Sequence, residues 1–275
     1  MAIELGAVLY AHEVTPESLA CLATMGFSTL NISFWQSLGP VDLVLLADTV
    51  AATSLKVSAL SVFGNTLMKE ETLLAWKTLI RNASLFGSPF VTGFAGRVTG
   101  KSVEASLPLW KETFSDLLEV AYQHRCKALL FENCRMGDLW KRGDWNIAIN
   151  GDAWALMFDT LDDSKFGLQW EPSHQVEAFL DPLEQLKKWL PKIKHIHGKD
   201  ASIDWALLRS VGLYGPKKAI GAVLPGQGET DWASLVGILK DGGYTGSIDL
   251  ETEGKDFCSD LPEKKLALEY LSGCL

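Results

Sequence analysis

The sequence predicts a closed (β/α)8 barrel, the TIM-barrel fold, formed as one domain over residues 1–275. Short apolar runs rich in β-branched and aromatic residues alternate with longer amphipathic runs, a pattern typical of repeated βα units. No run rich in Pro, Gly or Ser separates two halves of the chain, and this favours a single domain. No Gly-x-Gly-x-x-Gly motif follows the first strand, and this disfavours an open sheet that binds a dinucleotide.

Eight runs have the length and composition of buried strands. They cover residues 3–9, 27–34, 56–63, 89–95, 127–132, 166–171, 193–197 and 247–251. Eight strands that alternate with helices are the number that closes a parallel barrel. Three of the runs end in a glutamate and a fourth ends in a histidine, so the strand ends carry the first candidates for chemistry.

The amphipathic runs between the strands predict the outer helices. The first helix has the clearest boundaries, because Thr15 is a good N-cap, Pro16 suits the first helical position and Gly26 suits a left-handed C-cap. Further helices are predicted at about 41–54, 69–86, 106–124, 146–161, 181–190, 231–241 and 263–270. Residues 202–228 are predicted to be an irregular connection, either part of a lid or a surface excursion.

The composition is that of a globular protein with a large core, since 47% of the residues are hydrophobic and 21% are charged. A net charge of -9 without a Lys/Arg-rich block disfavours nucleic acid or an anionic membrane as the main partner. The five cysteines are scattered and form no Cys-x-x-Cys pair, which predicts free thiols in a reducing compartment. The chain has no basic segment before its first apolar run and no uncharged run of membrane length, so the expected location is the cytoplasm.

Four candidate ligands end the fifth to eighth predicted strands: Glu132, Glu171, His197 and Glu251. The active site of a (β/α)8 barrel lies at its C-terminal face, where these neighbouring strands would bring the four side chains together. Three carboxylates and one imidazole suit Mn, Mg or Co, with Zn as a further option. Without a cation the carboxylates would repel one another and some would take up protons, so the pattern predicts a divalent-metal site.

Other polar residues near these strand ends have more than one interpretation. His195 lies one pleat deeper than His197 and is predicted to be a hydrogen-bonded barrel residue, not a ligand. His174 is either a substrate contact or a helix-start residue. Lys199 either reaches an anionic group of a substrate or forms a surface pair with Asp200.

For some neighbours the structural interpretation is the stronger one. Asp249 and Glu253 share the face of Glu251 and could support it, but each is more simply a structural residue. Cys134 follows the fifth strand, yet no base that would activate its thiol can be identified. At most two or three of the tryptophans near predicted strand ends are expected to line a ligand pocket; these are Trp35, Trp140, Trp145, Trp170 and Trp205.

The motifs taken together resemble a known superfamily. They are Glu132-Asn133, Glu171-Pro-Ser-His174, His195-Ile-His-Gly-Lys-Asp200, Pro225-Gly-Gln-Gly-Glu-Thr-Asp-Trp232 and Leu250-Glu251. In order and spacing they are similar to the xylose isomerase-like (β/α)8 superfamily of sugar isomerases and epimerases. Asn146-Ile-Ala-Ile-Asn150, with Trp154, also resembles a segment of one sugar phosphate isomerase/epimerase branch.

The resemblance implies a role for each matching residue. Glu132, Glu171, His197 and Glu251 would be the metal ligands, and His174 would bind the substrate beside the metal. In the family's epimerases the carboxylates that match Glu132 and Glu251 also move the proton at the carbon next to the carbonyl, through an enediolate. The implied cofactor is one divalent ion, and the implied partner is a small sugar or sugar derivative. Self-association is also expected, because superfamily members often form dimers or tetramers.

This chain departs from the family pattern at two places. Glu171 stands where the family usually has Asp, which lengthens the reach to the metal by one methylene. Ala222-Val223-Leu224 precede Pro225, so the arginine often found before Pro-Gly-x-Gly is missing. Either departure fits an altered substrate, or a member that binds without turnover.

The expected function is that of a metal-dependent sugar isomerase or epimerase, and three alternatives remain open. A dehydratase acting on a keto-polyol needs the same metal and the same proton abstraction. A non-catalytic carbohydrate-binding barrel would keep the pocket without the reaction. A DNA-repair endonuclease of the same superfamily is disfavoured, because its cluster of metals uses more histidines and this chain has five histidines and a net charge of -9.

Overall fold

The strands of the computed structural model, which describes residues 3–252, 257–259 and 261–275, form a closed barrel and one small separate sheet. They are β1 (Glu4–Tyr10), β2 (Thr29–Trp35), β3 (Lys56–Phe63), β4 (Phe90–Gly93), β5 (Leu129–Glu132), β6 (Phe166–Trp170), β7 (Ile193–Gly198), β8 (Asp200–Ile203), β9 (Ile220–Val223) and β10 (Ser247–Leu250). The barrel order is β1-β10-β7-β6-β5-β4-β3-β2, with parallel pairing, and β8 pairs with β9 in the separate sheet. The predicted (β/α)8 barrel is confirmed. Glu253 lies outside the described residues.

Helices lie between the strands along the chain and after the last strand. They are α1 (Pro16–Met25), α2 (Leu43–Ala51), α3 (Glu70–Asn82), α4 (Val103–Gln123), α5 (Gly151–Thr160), α6 (Pro172–Glu177), α7 (Pro182–Trp189), α8 (Trp205–Val211), α9 (Trp232–Asp241) and α10 (Leu261–Cys274). The caps predicted for α1 are present, since Thr15 Oγ1 accepts a hydrogen bond from Ser18 N at 3.2 Å and Gly26 has a φ of 100°. Across the described ranges, no helix combines the length and the apolar character that a membrane span needs.

The predicted start of α5 is wrong by five residues. The helix begins at Gly151 because the side chain of Asn150 caps it by accepting a hydrogen bond from Ala153 N. The preceding residues 146–150 stay outside the helix. Asn146 instead donates from Nδ2 to the backbone oxygens of Glu132 and Cys134, at 2.9 and 2.8 Å. A tertiary contact therefore replaces the first predicted turn.

Side-chain alternation along the strands separates an apolar outer layer from a polar interior. Phe131 on β5 packs on Phe114 of α4 with ring centroids 5.0 Å apart, while the next residue, Glu132, points to the other face. In the interior, side chains from strands that are not neighbours touch across the barrel, as Gln169 of β6 and Asn31 of β2 do. The barrel is thus filled in part by hydrogen-bonded polar groups, which can be buried only if they are paired.

Residues 202–228, predicted to be irregular, contain regular structure. β8 and β9 form an antiparallel ladder from Asp200–Val223 to Ile203–Ile220, and α8 lies between them. The buried carboxylate of Asp200 accepts hydrogen bonds from Thr230 Oγ1 at 2.7 Å and Trp232 Nε1 at 3.1 Å. The β8–β9 hairpin directly follows the strand that carries His197. The contacts of Asp200 hold this hairpin to the start of α9.

Candidate metal centre

Four side chains meet at the C-terminal face of the barrel. Glu132 is the last residue of β5, Glu171 follows β6, His197 lies on β7 and Glu251 follows β10. Because β5, β6, β7 and β10 are consecutive in the barrel, the four side chains lie close together. Each side chain offers one ligand atom, and all four atoms lie within 4.8 Å of one another. We call these four residues the carboxylate–histidine cluster.

The contacts in the cluster are centred on one imidazole nitrogen. His197 Nδ1 lies 2.8 Å from Glu251 Oε2, 3.1 Å from Glu132 Oε1 and 3.7 Å from Glu171 Oε2. The side chains of His197 and Glu171 are fully buried, that of Glu132 is 5% exposed and that of Glu251 is 18% exposed. These distances place three acceptor oxygens around one ring nitrogen in a largely buried site.

The residues present fit a divalent cation. Glu171 Oε2, Glu251 Oε2 and His197 Nδ1 are buried, and none makes a well-oriented hydrogen bond to any described residue, although they lie close together. Buried polar atoms in folded proteins are almost always satisfied, so three such atoms facing one another require an explanation. A cation bound between them would satisfy all three, and oxygen-rich sets with one imidazole suit Mn, Mg, Co or Zn.

Two asparagines hold the backbone at two of the candidate ligands. Asn133 Oδ1 accepts from Glu171 N at 2.8 Å, and Asn133 Nδ2 donates to Glu171 O at 2.9 Å. Asn146 Nδ2 donates to Glu132 O at 2.9 Å. Both asparagines were present in the sequence motifs, but motif spacing does not show which backbone groups an amide binds.

Lys199 lies inside the site and not at the surface. Its side chain is 4% exposed, and Nζ is 3.1 Å from Glu171 Oε1 and 3.1 Å from Glu251 Oε1. The surface pair with Asp200 is wrong, because the Asp200 carboxylate is buried among donors from Thr230 and Trp232. The ammonium group of Lys199 therefore offsets part of the negative charge of the three carboxylates.

The carboxylates of the cluster have different ionisation behaviour. Burial opposes ionisation of all three, and the neighbouring charges determine whether the pKa of each ends above or below its usual value. For Glu132 burial has the largest effect and raises the pKa. For Glu171 the charges of His174 and Lys199 outweigh burial and hold the pKa well below its usual range. The pKa of Glu251 is also lowered, since Lys199 and His197 outweigh its burial.

His174 lies beside the cluster and opens onto a cavity. Its Nε2 is 3.4 Å from Glu171 Oε1, and its Nδ1 is 2.9 Å from Glu177 Oε2. A cavity of about 370 Å³ extends from His174 along Cys134 and Arg135 to the hairpin and α8. His174 thus contacts the cluster through Glu171 and also lines the adjoining cavity, where a substrate group could contact it.

His195 lies below the cluster, as the sequence predicted. Its Nε2 is 2.7 Å from Asp249 Oδ2, and both side chains are fully buried. Asp249 also accepts a hydrogen bond from Thr29 Oγ1 at 2.7 Å, so its structural interpretation holds. Neither residue belongs to the carboxylate–histidine cluster.

The tryptophans near the strand ends lie in different surroundings. Trp35, 46% exposed, pairs with Trp145 at a centroid distance of 5.9 Å and lines a groove of about 530 Å³ together with Tyr10. Trp170 is completely buried. Tyr10 was not singled out from the sequence. Burial raises the pKa of Tyr10, and the charges of Glu251 and Glu132 raise it further.

Solved structures of similar fold cover nearly the whole chain. A xylose isomerase domain protein from Planctomyces limnophilus aligns over 100% of this chain and 98% of its own, with a TM-score of 0.73 and 17% identity. An L-ribulose 3-epimerase aligns over 100% of this chain and 95% of its own, with a TM-score of 0.72 and 15% identity. At these identities the likeness concerns the fold.

Curated relatives match only part of the sequence. The inosose dehydratase of Clostridium perfringens is 30% identical over 101 residues, which cover 35% of this chain and about a third (34%) of the dehydratase. The family model described as xylose isomerase-like TIM barrel matches residues 19–272, almost the entire chain. With its closed eight-stranded barrel and this match, the chain belongs to the xylose isomerase-like TIM barrel family.

Proposed function

We propose that this protein is a divalent-metal-dependent isomerase or epimerase that acts on a sugar or sugar derivative. The observation that supports it most strongly is the carboxylate–histidine cluster, with three buried ligand atoms that face one another without well-oriented hydrogen bonds to described residues. Such a site at the C-terminal face of a (β/α)8 barrel is where enzymes of this fold carry out their chemistry.

Glu132, Glu171, His197 and Glu251 would hold the cation, with Mn, Co or Mg preferred and Zn a further option. A divalent cation bound there supplies positive charge that polarises a substrate carbonyl and makes the adjacent C–H bond more acidic. Glu132 and Glu251 leave strands that are separated by β6 and β7, so they approach the site from different sides. One carboxylate can then remove the proton next to the carbonyl and the other can return it after the enediolate forms.

The remaining site residues would bind and orient the substrate. His174 faces both Glu171 and the adjoining cavity, so its ring can donate a hydrogen bond to a substrate oxygen. Lys199 holds Glu171 and Glu251 through ion pairs and is close enough to the cluster to contact an oxygen of the substrate as well. Both roles are proposals that follow from these contacts.

A metal-dependent dehydratase on a keto-polyol is the second candidate. Two observations favour it: the partial match to inosose dehydratase, and the Lys199 ammonium 3.1 Å from Glu251. Loss of water requires the same removal of a proton next to a carbonyl, together with a donor near the departing hydroxyl group. Lys199 would supply that donor.

The two functions differ in their products, so one experiment separates them. The purified protein is loaded with Mn, Co, Mg or Zn, analysed for bound metal, and incubated in deuterated water with ketoses, aldoses and cyclic keto-polyols. An isomerase or epimerase incorporates deuterium without changing the substrate formula. A dehydratase releases a product that lacks one water molecule. Mass spectrometry distinguishes these outcomes.

Matched variants make the experiment specific to the site. Glu132→Gln and Glu251→Gln should abolish deuterium incorporation, whereas Glu184→Gln, on the exposed side of α7, should not. A wild-type protein that stays free of metal after incubation would contradict the proposal. Bound metal and bound sugar without any deuterium incorporation would instead favour a non-catalytic carbohydrate-binding barrel.

A further inference from the structure

A buried network of polar side chains extends from His197 into the barrel, away from the face that carries the carboxylates. His197 Nε2 lies 3.4 Å from Asn31 Oδ1. The same oxygen accepts hydrogen bonds from Gln169 Nε2 at 3.0 Å and Ser61 Oγ at 2.9 Å. These four residues come from β7, β2, β6 and β3, and each is 0% exposed. Groups buried this deeply must have partners of the correct donor or acceptor type.

The Gln169 amide contacts a different partner at each end. Its Oε1 accepts from Thr92 Oγ1 at 2.9 Å, and its Nε2 faces Asn31 and His195. An amide nitrogen can only donate, and Asn31 therefore has to present its oxygen to Gln169. The Nδ2 of Asn31 is directed to Ser33 Oγ at 3.1 Å instead.

The lower end of the network anchors Gln169. Its Nε2 is 3.1 Å from His195 Nδ1, which must accept because an amide nitrogen donates. The other nitrogen of the same ring, His195 Nε2, then donates to Asp249 Oδ2 at 2.7 Å. The Asp249 carboxylate is itself held by hydroxyl groups of Thr29 and Ser58. The donor and acceptor roles are thus set from Asp249 up to His197.

The consequence concerns the hydrogen on His197 Nε2. Because Asn31 Oδ1 can only accept, this contact is a hydrogen bond only when His197 Nε2 carries a hydrogen. A ring that keeps its hydrogen on Nε2 can bind a cation through Nδ1, the atom that faces Glu132, Glu171 and Glu251. We propose that Asn31, oriented by Gln169, is a positioning residue that holds this Nε2 hydrogen and so directs Nδ1 at the cation. The inference rests on the metal dependence in the proposed function, and it assigns a task to interior residues that touch neither metal nor substrate.

Nitrogen NMR of the metal-free protein tests this hydrogen bond without any turnover. The chain contains five histidines, so a ¹⁵N-histidine sample gives few signals, and His197→Gln identifies the ring in question. We expect a proton on Nε2 of His197 in the wild-type protein, and a changed Nε2 signal in Asn31→Leu. A wild-type His197 ring without a proton on Nε2 would overturn the inference, whatever the metal affinity.

Metal affinity tests whether the hydrogen bond between His197 and Asn31 matters for binding. Asn31→Leu removes the acceptor and is expected to weaken Mn or Co binding about 10- to 100-fold in calorimetry, the usual effect of losing a hydrogen bond that orients a ligand. Asn31→Asp keeps an acceptor oxygen and should restore most of the affinity. Ser33→Ala removes a partner of the Asn31 amide nitrogen only, so its affinity should stay within about twofold of the wild type.

The outcomes separate this inference from the proposed function. Tight binding by the wild type and equally tight binding by Asn31→Leu, with an unchanged His197 spectrum, would overturn the positioning role and leave the proposed function intact. A wild type that binds no metal would contradict the proposed function, while the presence of the Nε2 proton on His197 would still be decided by NMR. If Asn31→Leu does not fold, Asn31→Asp decides the question. Weakened metal binding and a displaced Nε2 proton in this variant would overturn the inference, whereas retained metal binding would support it.

Discussion

At the scale of single residues, Lys199 has the clearest energetic role in the candidate site. Three carboxylates lie within a few ångströms of one another in a region with little water, and their repulsion is strong where the dielectric constant is low. The buried ammonium of Lys199 contacts Glu171 and Glu251 at the same distance, 3.1 Å. In the metal-free protein Lys199 is therefore expected to reduce the electrostatic repulsion among the three carboxylates.

Replacing Lys199 by methionine tests that role. Lys199→Met should destabilise the metal-free protein by about 3 kcal/mol, because it removes the buried ammonium group that Glu171 and Glu251 share. Urea denaturation followed by circular dichroism gives the free energy of unfolding. A saturating divalent ion should reduce the loss, since the ion faces the same carboxylates.

A lysine on the surface provides the control. Lys187 pairs with Glu184 at 2.9 Å, but more than half of each side chain is exposed. Lys187→Met is expected to cost less than about 1 kcal/mol, as exposed ion pairs usually contribute little. Equal losses for the two variants, or a Lys199→Met loss that metal does not change, would contradict the role assigned to Lys199.

At the scale of secondary-structure elements, the barrel interior restricts the size of residues on β1. A Cβ atom at Gly6 would lie 2.0 Å from Thr29 Oγ1 and 2.1 Å from Asp249 Oδ1. These two atoms form the 2.7 Å hydrogen bond that supports Asp249 under His195. Glycine at this position allows β1 and β2 to approach while the buried carboxylate keeps its partners.

Gly6→Ala is accordingly expected to destabilise the protein by about 1–3 kcal/mol, the range for overpacking a filled interior. The measurement is the urea-induced unfolding transition. Gly221→Ala, on β9, is the matched control because an added Cβ there would meet no atom within 4 Å. A Gly6→Ala protein as stable as Gly221→Ala would show that the interior of the barrel is less filled than the contacts indicate.

The hairpin beside the site depends on one buried carboxylate. Asp200 accepts from Thr230 and Trp232, and it begins β8. Asp200→Ala should leave these donors unsatisfied and increase amide hydrogen exchange in β8 and β9 before global unfolding. Asp204→Ala removes only the cap of α8, so exchange in the β8–β9 ladder should change little. Unchanged protection of β8 and β9 in Asp200→Ala would contradict the role of this anchor.

The elements also show where sequence reasoning succeeds and where it fails. The barrel strands were predictable because each is a short apolar run bounded by turn or helix signals, and Glu132, Glu171 and Glu251 end or directly follow such runs. β8 and β9 were not, because each has four residues and their pairing depends on Asp200, whose partners are about thirty residues later. Asn31 and Gln169 lie within their strands and not at the strand ends. Their contact was not predictable, because only closure of the barrel brings β2 opposite β6.

At the scale of the whole molecule, the candidate metal site and the fold depend on each other. The carboxylate–histidine cluster combines residues from four strands whose positions in the chain extend from Glu132 to Glu251. An unfolded chain would hold these side chains far apart, so a cation that binds the closed barrel should bind the unfolded chain weakly. By linkage, such a cation must stabilise the folded protein.

Metal binding should therefore raise the free energy of unfolding by an amount that the affinity fixes. At a free metal concentration about 100 times the dissociation constant, the expected gain is about 2.7 kcal/mol, and chelation should reverse it. Urea midpoints measured over a range of Mn or Co concentrations test this, with the dissociation constant taken from calorimetry. Glu251→Gln should remove the dependence on metal, while Glu184→Gln, at the exposed Lys187 pair, should retain it. A wild-type midpoint that does not move with metal, or a gain that Glu251→Gln retains in full, would place the bound ion somewhere other than the carboxylate–histidine cluster.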